Sequence, residues 1–240
     1  MAAKPVVSVI VPAKNEEALL PQCLAALTRQ SAKVPYEVIV VDSNSTDATA
    51  TVAKKAGVRY VNEPKKGKIY GFIRGVAEAK GTILCFTEAD CVVPATWVQT
   101  IADYFKSHPS VAAISGGYTF HKAAEHEHFL VRTALGITHF LSLIFYRNAT
   151  FRCSNSAIRK SVYDQIGGFN ENFHELYDTD LGKRAGRVGA VHHVDAMEIK
   201  NSDRRVRGRF WQYLTELVPT VIQVVLLEKP LRKQSYKDIR

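Results

Sequence analysis

Continuous apolar runs alternate with amphipathic segments along the first part of the chain. The runs cover residues 6–11, 36–41, 58–61 and 82–86 and are rich in valine and isoleucine. Runs without polar alternation are typical of strands that are buried on both faces of a parallel sheet. The segments between them carry apolar residues with the period of a helix. The pattern therefore predicts an α/β domain with a mostly parallel central sheet and helices on both faces.

The helices between these strands are predicted from their ends as well as from their period. Glu16 and Glu17 are expected at the N-terminus of the first helix and Asp47 in the first turn of the second, where acidic side chains are favourable. Gly57 follows the second helix as a C-cap. A third helix is expected near residues 69–80.

The second half of the chain is less regular. Residues 94–107 predict a helix, and residues 111–120 predict a strand that Gly116 and Gly117 interrupt. Glycine inside a strand weakens it and often marks a bend. We therefore expect two short strands here rather than one long one.

Two later segments combine apolar and basic residues. Residues 128–146 predict a long apolar helix, in which Arg132 and His139 argue against a membrane span. A helix in the membrane interface and a core helix with a polar stripe both fit this segment. Residues 201–240 join an apolar stretch, interrupted at Pro219, to a basic tail, and predict a helical extension suited to a membrane interface.

The composition is that of an ordinary globular protein, with 240 residues, 46% hydrophobic and 23% charged. A formal net charge of +9 indicates an anionic partner: nucleic acid, an acidic membrane surface or a phosphorylated substrate. The four cysteines form no CxxC pair, which predicts buried reduced thiols and favours a cytoplasmic protein. The first apolar run is too short for a signal peptide and predicts a strand.

Polar clusters follow three of the predicted strands: "PAKNEE", "DSNSTD" and "EAD". The carboxyl ends of parallel strands meet at one edge, so these loops are expected to line a single crevice. Asp42 can accept hydrogen bonds there from a base or ribose, or it can cap a helix. Lys66, Lys68 and Arg74 bring the positive charge that a diphosphate requires, although a solvated face also fits them.

Glu88 and Asp90 are separated by Ala89 just after the fourth strand. The strand period of two predicts that both carboxylates point to one side and Ala89 to the other. Two hard oxygen ligands at a strand end fit Mg²⁺ or Mn²⁺. A pair of N-caps before the helix at Pro94 fits them as well.

These motifs together resemble the family 2 glycosyltransferases, which use nucleotide-sugar donors on a GT-A fold. The resemblance runs from about residue 7 to residue 181. It rests on "VSVIVPAKNEE", "VIVVDSNSTDAT", "GKIYGFIRGVAEAKGTILCFTEAD" and "CSNSAIRKSVYDQIGGFNENFHELYDTDLGKRAGRVG", in that order. It implies one GT-A (Rossmann-like) domain over 1–200, with a nucleotide-binding half at 1–90 and an acceptor half at 91–200, followed by the extension at 201–240.

The resemblance implies a donor site and a metal ligand. The implied donor-binding residues are Pro12, Ala13, Asn15, Glu16, Asp42, Lys68, Arg74, Glu88, Ala89 and Asp90. Asp90 stands at the metal-binding position, aided by Glu88. Because Glu88 replaces the family's aspartate, its contact with the donor can be direct or through the metal. Asn44 replaces the family's glycine and can adopt the left-handed conformation of such a turn.

The resemblance also implies a catalytic base and an anion-binding segment. Asp178 falls on the base position, and Tyr177 replaces the glutamate that usually precedes it, so Glu175 is a competing candidate. A basic segment with Arg204, Arg205 and Arg207 would close over the diphosphate or bind a lipid phosphate. A solvated basic face is the alternative for this segment.

The implied activity is that of an inverting glycosyltransferase of the hexosyltransferase type with Mg²⁺ or Mn²⁺ as cofactor. Its partners would be a nucleotide-diphosphate sugar and a sugar, lipid or phosphate acceptor, including a membrane (poly)prenyl phosphate or glycolipid. A cytoplasmic location and a peripheral location at the anionic inner face of the cell membrane both fit these partners. No nucleic-acid recognition motif appears. The alternatives are a non-catalytic nucleotide-sugar-binding or scaffold protein and a nucleotidyltransferase, which "VPAKNEE" disfavours because it lacks glycine.

Overall fold

The computed structural model describes residues 3–120, 133, 150–173, 176–202 and 204. Its strands are β1 Val7–Ala13, β2 Tyr36–Asp42, β3 Arg59–Asn62, β4 Ile83–Thr87, β5 Cys91–Val92, β6 Val111–Ser115, β7 Tyr118–Phe120, β8 Asn155–Arg159, β9 Ala190–His193 and β10 Ile199–Asn201. The helices in the described part are α1 Leu20–Thr28, α2 Thr49–Lys55, α3 Lys68–Glu78, α4 Trp97–Ser107, α5 Lys160–Gln165 and α6 Tyr177–Gly186, with a 3₁₀ turn at Asp195–Met197.

Seven strands form the central sheet in the order β3-β2-β1-β4-β8-β6-β9. β8 pairs antiparallel with both β4 and β6, whereas the other pairings in this sheet are parallel. A second, three-stranded sheet has the order β5-β10-β7. The predicted mostly parallel sheet is therefore confirmed, with one reversed strand near its middle.

Helices cover both faces of the central sheet and enclose two cores. Successive side chains of a strand point to opposite faces. In β1, Val9 and Val11 thus join the core that contains α1, α2 and α4, while Ile10 joins the core of α3, α5 and α6. Burial on both faces explains why the strands read as continuous apolar runs. The four cysteines are buried and free of disulfides, as predicted.

Helix α3 packs directly against β1 because two of its residues are glycines. A Cβ atom at Gly71 would lie 2.9 Å from Cβ of Pro12, and one at Gly75 would lie 2.3 Å from Cγ2 of Ile10. Both distances are shorter than real contacts between carbon atoms. This close packing brings Lys68, the first residue of α3, to the carboxyl edge of the sheet.

The first two helices begin later than the sequence predicts. α1 begins at Leu20, so Glu16 and Glu17 lie in the preceding loop, and α2 begins at Thr49, so Asp47 lies before its first turn. Glu17 accepts a hydrogen bond from the amide of Ala48, Asp47 accepts one from the amide of Glu17, and the side chain of Glu16 contacts Arg204. Gly57 follows α2 with a φ of 71°, which confirms the predicted left-handed helix end.

The irregular second half contains elements that no periodic pattern marks. Gly116 and Gly117 separate β6 from β7, which belong to different sheets, so the predicted interruption is confirmed. β8, β9 and β10 were not predicted. The predicted apolar helix at 128–146 lies outside the described residues except for Thr133, as does most of 201–240. Within the described ranges, no helix has the length and apolar character needed to cross a membrane.

Asn155 links the two sheets through a fully buried amide. Its Oδ1 accepts a hydrogen bond from Nε1 of Trp97 at 2.9 Å, and its Nδ2 donates to the carbonyl oxygens of Gly117 at 2.8 Å and Met197 at 2.7 Å. Buried polar groups that lose their partners cost about 1–3 kcal/mol each. We expect Asn155→Leu to lower the free energy of unfolding by roughly 3–5 kcal/mol, measured by urea denaturation. The exposed Asn172→Leu variant is the control, and equal stability of the two variants would contradict the role of Asn155.

Candidate active site

The loops after β1 and β2 are joined by hydrogen bonds between side chains and backbone. Oδ1 of Asn15 accepts from the amide of Thr46 at 2.8 Å, and Oε2 of Glu17 accepts from the amide of Ala48 at 2.8 Å. Asn15 and Asn44 both have left-handed backbones, with φ of 51° and 55°. The expectation for Asn44 is thus confirmed. The two loops form one continuous polar rim at the carboxyl edge of the sheet.

Asp42 ends β2 within this rim and is only 2% exposed. Its Oδ1 accepts hydrogen bonds from the amide and the hydroxyl of Ser45 at 2.9 and 2.5 Å, and its Oδ2 accepts from the hydroxyl of Tyr60 at 3.0 Å. Asp42 closes a turn and does not cap a helix, because α2 begins at Thr49. Pro12 and Ala13 lie beside it at the buried end of β1. Donor binding by these residues stays a prediction.

Lys68 is the lysine that the fold brings to this edge. Its Nζ lies 2.7 Å from Oε2 of Glu88, and both side chains are partly buried. Arg74 instead pairs with Glu78 at 2.8 Å, farther along α3 and away from Lys68. Lys66 is exposed in the loop before α3. Of the three predicted basic residues, the structure therefore joins Lys68 to the carboxylates and turns Arg74 away from them.

The segment from Glu88 to Asp90 is a turn and not a strand. β4 ends at Thr87, and the amide of Cys91 donates to the carbonyl of Glu88 at 3.1 Å. The expectation that strand alternation aligns Glu88 and Asp90 is therefore wrong, because the backbone turns between them. Ala89 is buried in the turn. Glu88 has Lys68 as its cationic partner, whereas Asp90 has a different one.

That partner is Arg204, which joins Asp90 to Glu16. Nη2 of Arg204 lies 3.1 Å from Oδ2 of Asp90 and 2.5 Å from Oε1 of Glu16. The carboxylate side chains are only 7% and 13% exposed. Oε2 of Glu16 is buried and has no hydrogen-bond partner among the residues that the structure describes. Burial raises the pKa of Glu16 above its usual value, although Arg204 opposes this.

The small sheet carries Arg204 to the site. β10 pairs antiparallel with β5, with Asn201 opposite Cys91, the residue that follows Asp90. The amide of Ser202 then donates to the carbonyl of Asp90 at 3.2 Å. No local sequence pattern indicates the pairing of Glu16 with Arg204, since 188 positions separate them. The predicted site residues Arg205, Arg207 and Glu175 lie outside the described residues.

Asp178 lies in the first turn of α6 and is partly buried. Its Oδ1 accepts from the amide of Thr179 at 2.7 Å, and its Oδ2 accepts from the amide of Cys153 at 3.4 Å. Burial raises the pKa of Asp178, the charge of Glu88 adds to the increase, and the two amides and Arg152 oppose it. Cys153 lies two residues before Asn155, which pairs with Thr87 at the end of β4, so Asp178 lies at the same edge of the sheet as the turn that carries Glu88. Sequence reasoning missed Arg152 and Cys153, because no local pattern links them to Asp178.

The described residues offer partial coordination for a metal ion. Across the described ranges, no three histidine, cysteine, aspartate or glutamate residues converge on a point that could hold a metal. Asp90 and Glu16 nevertheless provide two buried carboxylates, one with an unpartnered oxygen. Magnesium is typically held by one or two carboxylates together with substrate phosphates. These two side chains therefore fit a divalent ion that a bound phosphate would help to coordinate.

Positive charge also lies at the opposite edge of the sheet. A cleft of about 1240 Å³ opens beside the amino ends of β1 and β4. Its basic lining residues are Lys4, Lys33, Lys80, Lys106, Arg159 and Lys160. The positive charge of the domain is therefore not confined to the candidate site.

Comparison with known proteins agrees with the geometry. The family described as Glycosyl transferase family 2 matches residues 8–167. The probable glycosyltransferase YdaM of Bacillus subtilis (strain 168) is 27% identical in an alignment 213 positions long that covers 79% of this chain and 48% of that protein. The dolichyl-phosphate beta-glucosyltransferase of Drosophila melanogaster is 44% identical in an alignment 98 positions long that covers 35% of this chain and 30% of that protein. The chain thus matches less than half the length of each relative.

A solved structure supports the fold independently. The mannosyltransferase PcManGT from Pyrobaculum calidifontis, in complex with GDP-Man and Mn²⁺, superposes with a TM-score of 0.66. The match covers 92% of this chain and 65% of that protein at 22% sequence identity. The architecture described above is therefore that of the GT-A fold.

Proposed function

The chain belongs to glycosyl transferase family 2, and we propose that it transfers a sugar from a nucleotide-diphosphate sugar to a hydroxyl or phosphate acceptor, inverting the anomeric carbon. One observation carries this proposal: polar side chains from distant segments meet at the carboxyl edge of the sheet, where α/β folds bind ligands. Asp42, Lys68, Glu88 and Asp90 come from the first half of the chain and Asp178 from the second.

The first-half residues provide the chemistry of a donor site. Asp42 is fixed at the rim and retains lone pairs that a base or ribose can use. Lys68 is partly exposed and pairs with the carboxylate of Glu88. Its ammonium group can therefore turn toward a phosphate oxygen of a bound donor. Asp90 and Glu16 would hold a divalent ion, which neutralises charge on the leaving diphosphate when bound. Mn²⁺ accompanies the donor in the related PcManGT structure.

Asp178 is the proposed base that removes the acceptor hydroxyl's proton. Two amides orient its carboxylate, and its raised pKa improves its ability to accept a proton near neutral pH. A hydroxyl acceptor needs this help as attack begins. A phosphate acceptor is already ionised and needs little.

For the acceptor, we propose a lipid-linked phosphate or hydroxyl at a membrane surface. The support is the relative named dolichyl-phosphate beta-glucosyltransferase, together with the apolar and basic segments predicted at 128–146 and 201–240. Binding to anionic liposomes, compared with neutral ones, tests the membrane part. Equal partitioning in the two lipid mixtures would count against an anionic surface.

A thermal-shift panel tests the donor part of the proposal. UDP-, GDP- and dTDP-sugars are added with and without Mn²⁺, because a ligand that binds only the folded protein raises its apparent stability. One nucleotide is expected to raise the melting temperature, and more so with Mn²⁺. Transfer from the matching labelled donor then separates an enzyme from a scaffold that only binds nucleotide. The absence of any shift across the panel would contradict the proposal.

The raised pKa of Asp178 leads to a prediction for pH dependence. The base must be ionised to act, so kcat/KM should fall as the pH drops through its pKa. Because that pKa is raised, we expect the fall of kcat/KM on the acidic side of the pH profile, its acidic limb, to lie above the ordinary aspartate pKa of about 3.9. The limb should move in Asp178→Glu and stay in place in Glu16→Gln. A limb unaffected by Asp178→Glu would assign the titration to another group.

A further inference from the structure

A single guanidinium balances the two carboxylates that would hold the metal. We propose that Arg204 is a resident cation of the donor site, which occupies Asp90 and Glu16 in the nucleotide-free protein and leaves Asp90 when a divalent ion binds. This inference rests on the proposed function in one respect only: that the site binds a metal together with a nucleotide. It assigns to Arg204 a competition with the metal, in addition to the anion contact expected from its sequence position.

The first argument is charge balance in a buried place. Asp90 and Glu16 are almost completely covered, and buried carboxylates without a counter-charge are strongly unfavourable. The pair therefore needs a cation whenever no metal is bound, and Arg204 is the one that contacts both.

The second argument is that both contacts use one nitrogen. Nη2 of Arg204 bonds to Oδ2 of Asp90 and also to Oε1 of Glu16. A divalent ion with its water shell that binds Oδ2 of Asp90 would meet the same N–H group and its positive charge. The ion and the guanidinium are both positive and repel each other at this distance. They therefore compete for Oδ2 of Asp90. The orphaned Oε2 of Glu16 offers the ion a second oxygen.

The third argument is that Arg204 stays near the site after release. The pairing of β10 with β5 and the bond from the amide of Ser202 to the carbonyl of Asp90 hold the backbone in place. The freed guanidinium is then within side-chain reach of a diphosphate, and arginine binds phosphate oxygens with paired N–H groups. A nucleotide diphosphate thus gives Arg204 a new partner and makes its replacement by the metal easier. Metal and nucleotide are expected to bind cooperatively for this reason.

Titration of Mn²⁺ without nucleotide tests the competition, with free Mn²⁺ measured by electron paramagnetic resonance. We expect Arg204→Ala to bind Mn²⁺ about tenfold more tightly than the unchanged protein, a typical size for coupling between two ligands. Arg204→Lys keeps the charge and should bind Mn²⁺ less tightly than Arg204→Ala. Arg187→Ala removes an exposed charge on another part of the domain and should have no effect. Equal or weaker Mn²⁺ binding by Arg204→Ala would overturn the proposal.

Two further variants keep the result interpretable. Adding Asp90→Asn to Arg204→Ala should remove the gain in Mn²⁺ affinity, and a gain that persists would locate the ion elsewhere and contradict the proposal. Arg204→Gln replaces Arg204→Ala if circular dichroism shows that the alanine variant is unfolded. Titration with UDP or GDP in the presence of Mn²⁺ is a separate readout: a failure to bind nucleotide would contradict the proposed function, whereas the metal titration alone decides the competition.

Discussion

Asp178→Asn is expected to lower the transfer rate by about 10²–10⁴-fold, the usual contribution of general base catalysis. The amide keeps the shape of the carboxylate but cannot accept the acceptor's proton. Nucleotide affinity should stay unchanged, because Asp178 comes from the second half of the chain and bonds to Thr179 and Cys153. Initial transfer rates and a nucleotide titration on the same preparation measure the two quantities.

The matched control is Asp164→Asn, an exposed aspartate that pairs with Lys160 on α5. Its transfer rate should equal that of the unchanged protein. If Asp178→Asn also keeps near-normal turnover on a hydroxyl acceptor, the assignment of the base is wrong. Glu175→Gln is then the next variant to measure.

The same substitution should increase stability at neutral pH. Burial raises the pKa of Asp178, so the folded protein favours its protonated form and ionisation destabilises the fold. That cost is absent below the pKa of the unfolded chain and develops as the pH rises through the folded pKa. Asparagine does not ionise, so its advantage in unfolding free energy should be present at pH 7 and small at strongly acidic pH. An advantage independent of pH would point to packing instead.

Asp90→Asn is expected to abolish the effect of Mn²⁺ on nucleotide binding and to reduce transfer by about a hundredfold or more, because metal ions contribute several kcal/mol of charge stabilisation. The side chain of Asp90 is only 7% exposed, so little water screens its charge from a bound ion. Nucleotide titrations with and without Mn²⁺ should coincide in this variant. A metal effect of normal size would exclude Asp90 as a ligand.

Glu88→Gln is the informative comparison for Asp90→Asn. Glu88 pairs with Lys68, whereas Arg204 contacts Asp90 and Glu16, so the loss of Glu88 should leave the Mn²⁺ effect on nucleotide binding largely in place. We expect a weaker nucleotide affinity through the changed environment of Lys68. Loss of the Mn²⁺ effect in Glu88→Gln would instead show that both carboxylates bind the ion, as the sequence interpretation expected.

The sheet was predictable because strands that are buried on both faces need apolar residues at successive positions, which is visible in the sequence. Val9, Ile10 and Val11 must all be apolar when alternate residues enter two cores. The position of the polar loops was predictable for a related reason, because the carboxyl ends of parallel strands lie at the same edge of the sheet. Helix starts were less predictable, because Glu17 and Asp47 bond across the two neighbouring loops and Glu16 contacts Arg204, none of which a local pattern reveals.

The sequence by itself determined the buried strands, the polar rim beyond them and the family to which its motifs belong, because these depend on residues close together in the chain. Only the tertiary structure decided which charges meet. β4 ends at Thr87, Glu88 pairs with Lys68, and the register of β10 against β5 brings Arg204 to Asp90 and Glu16. Contacts across so many positions depend on strand pairing and packing, which no short segment of the chain encodes.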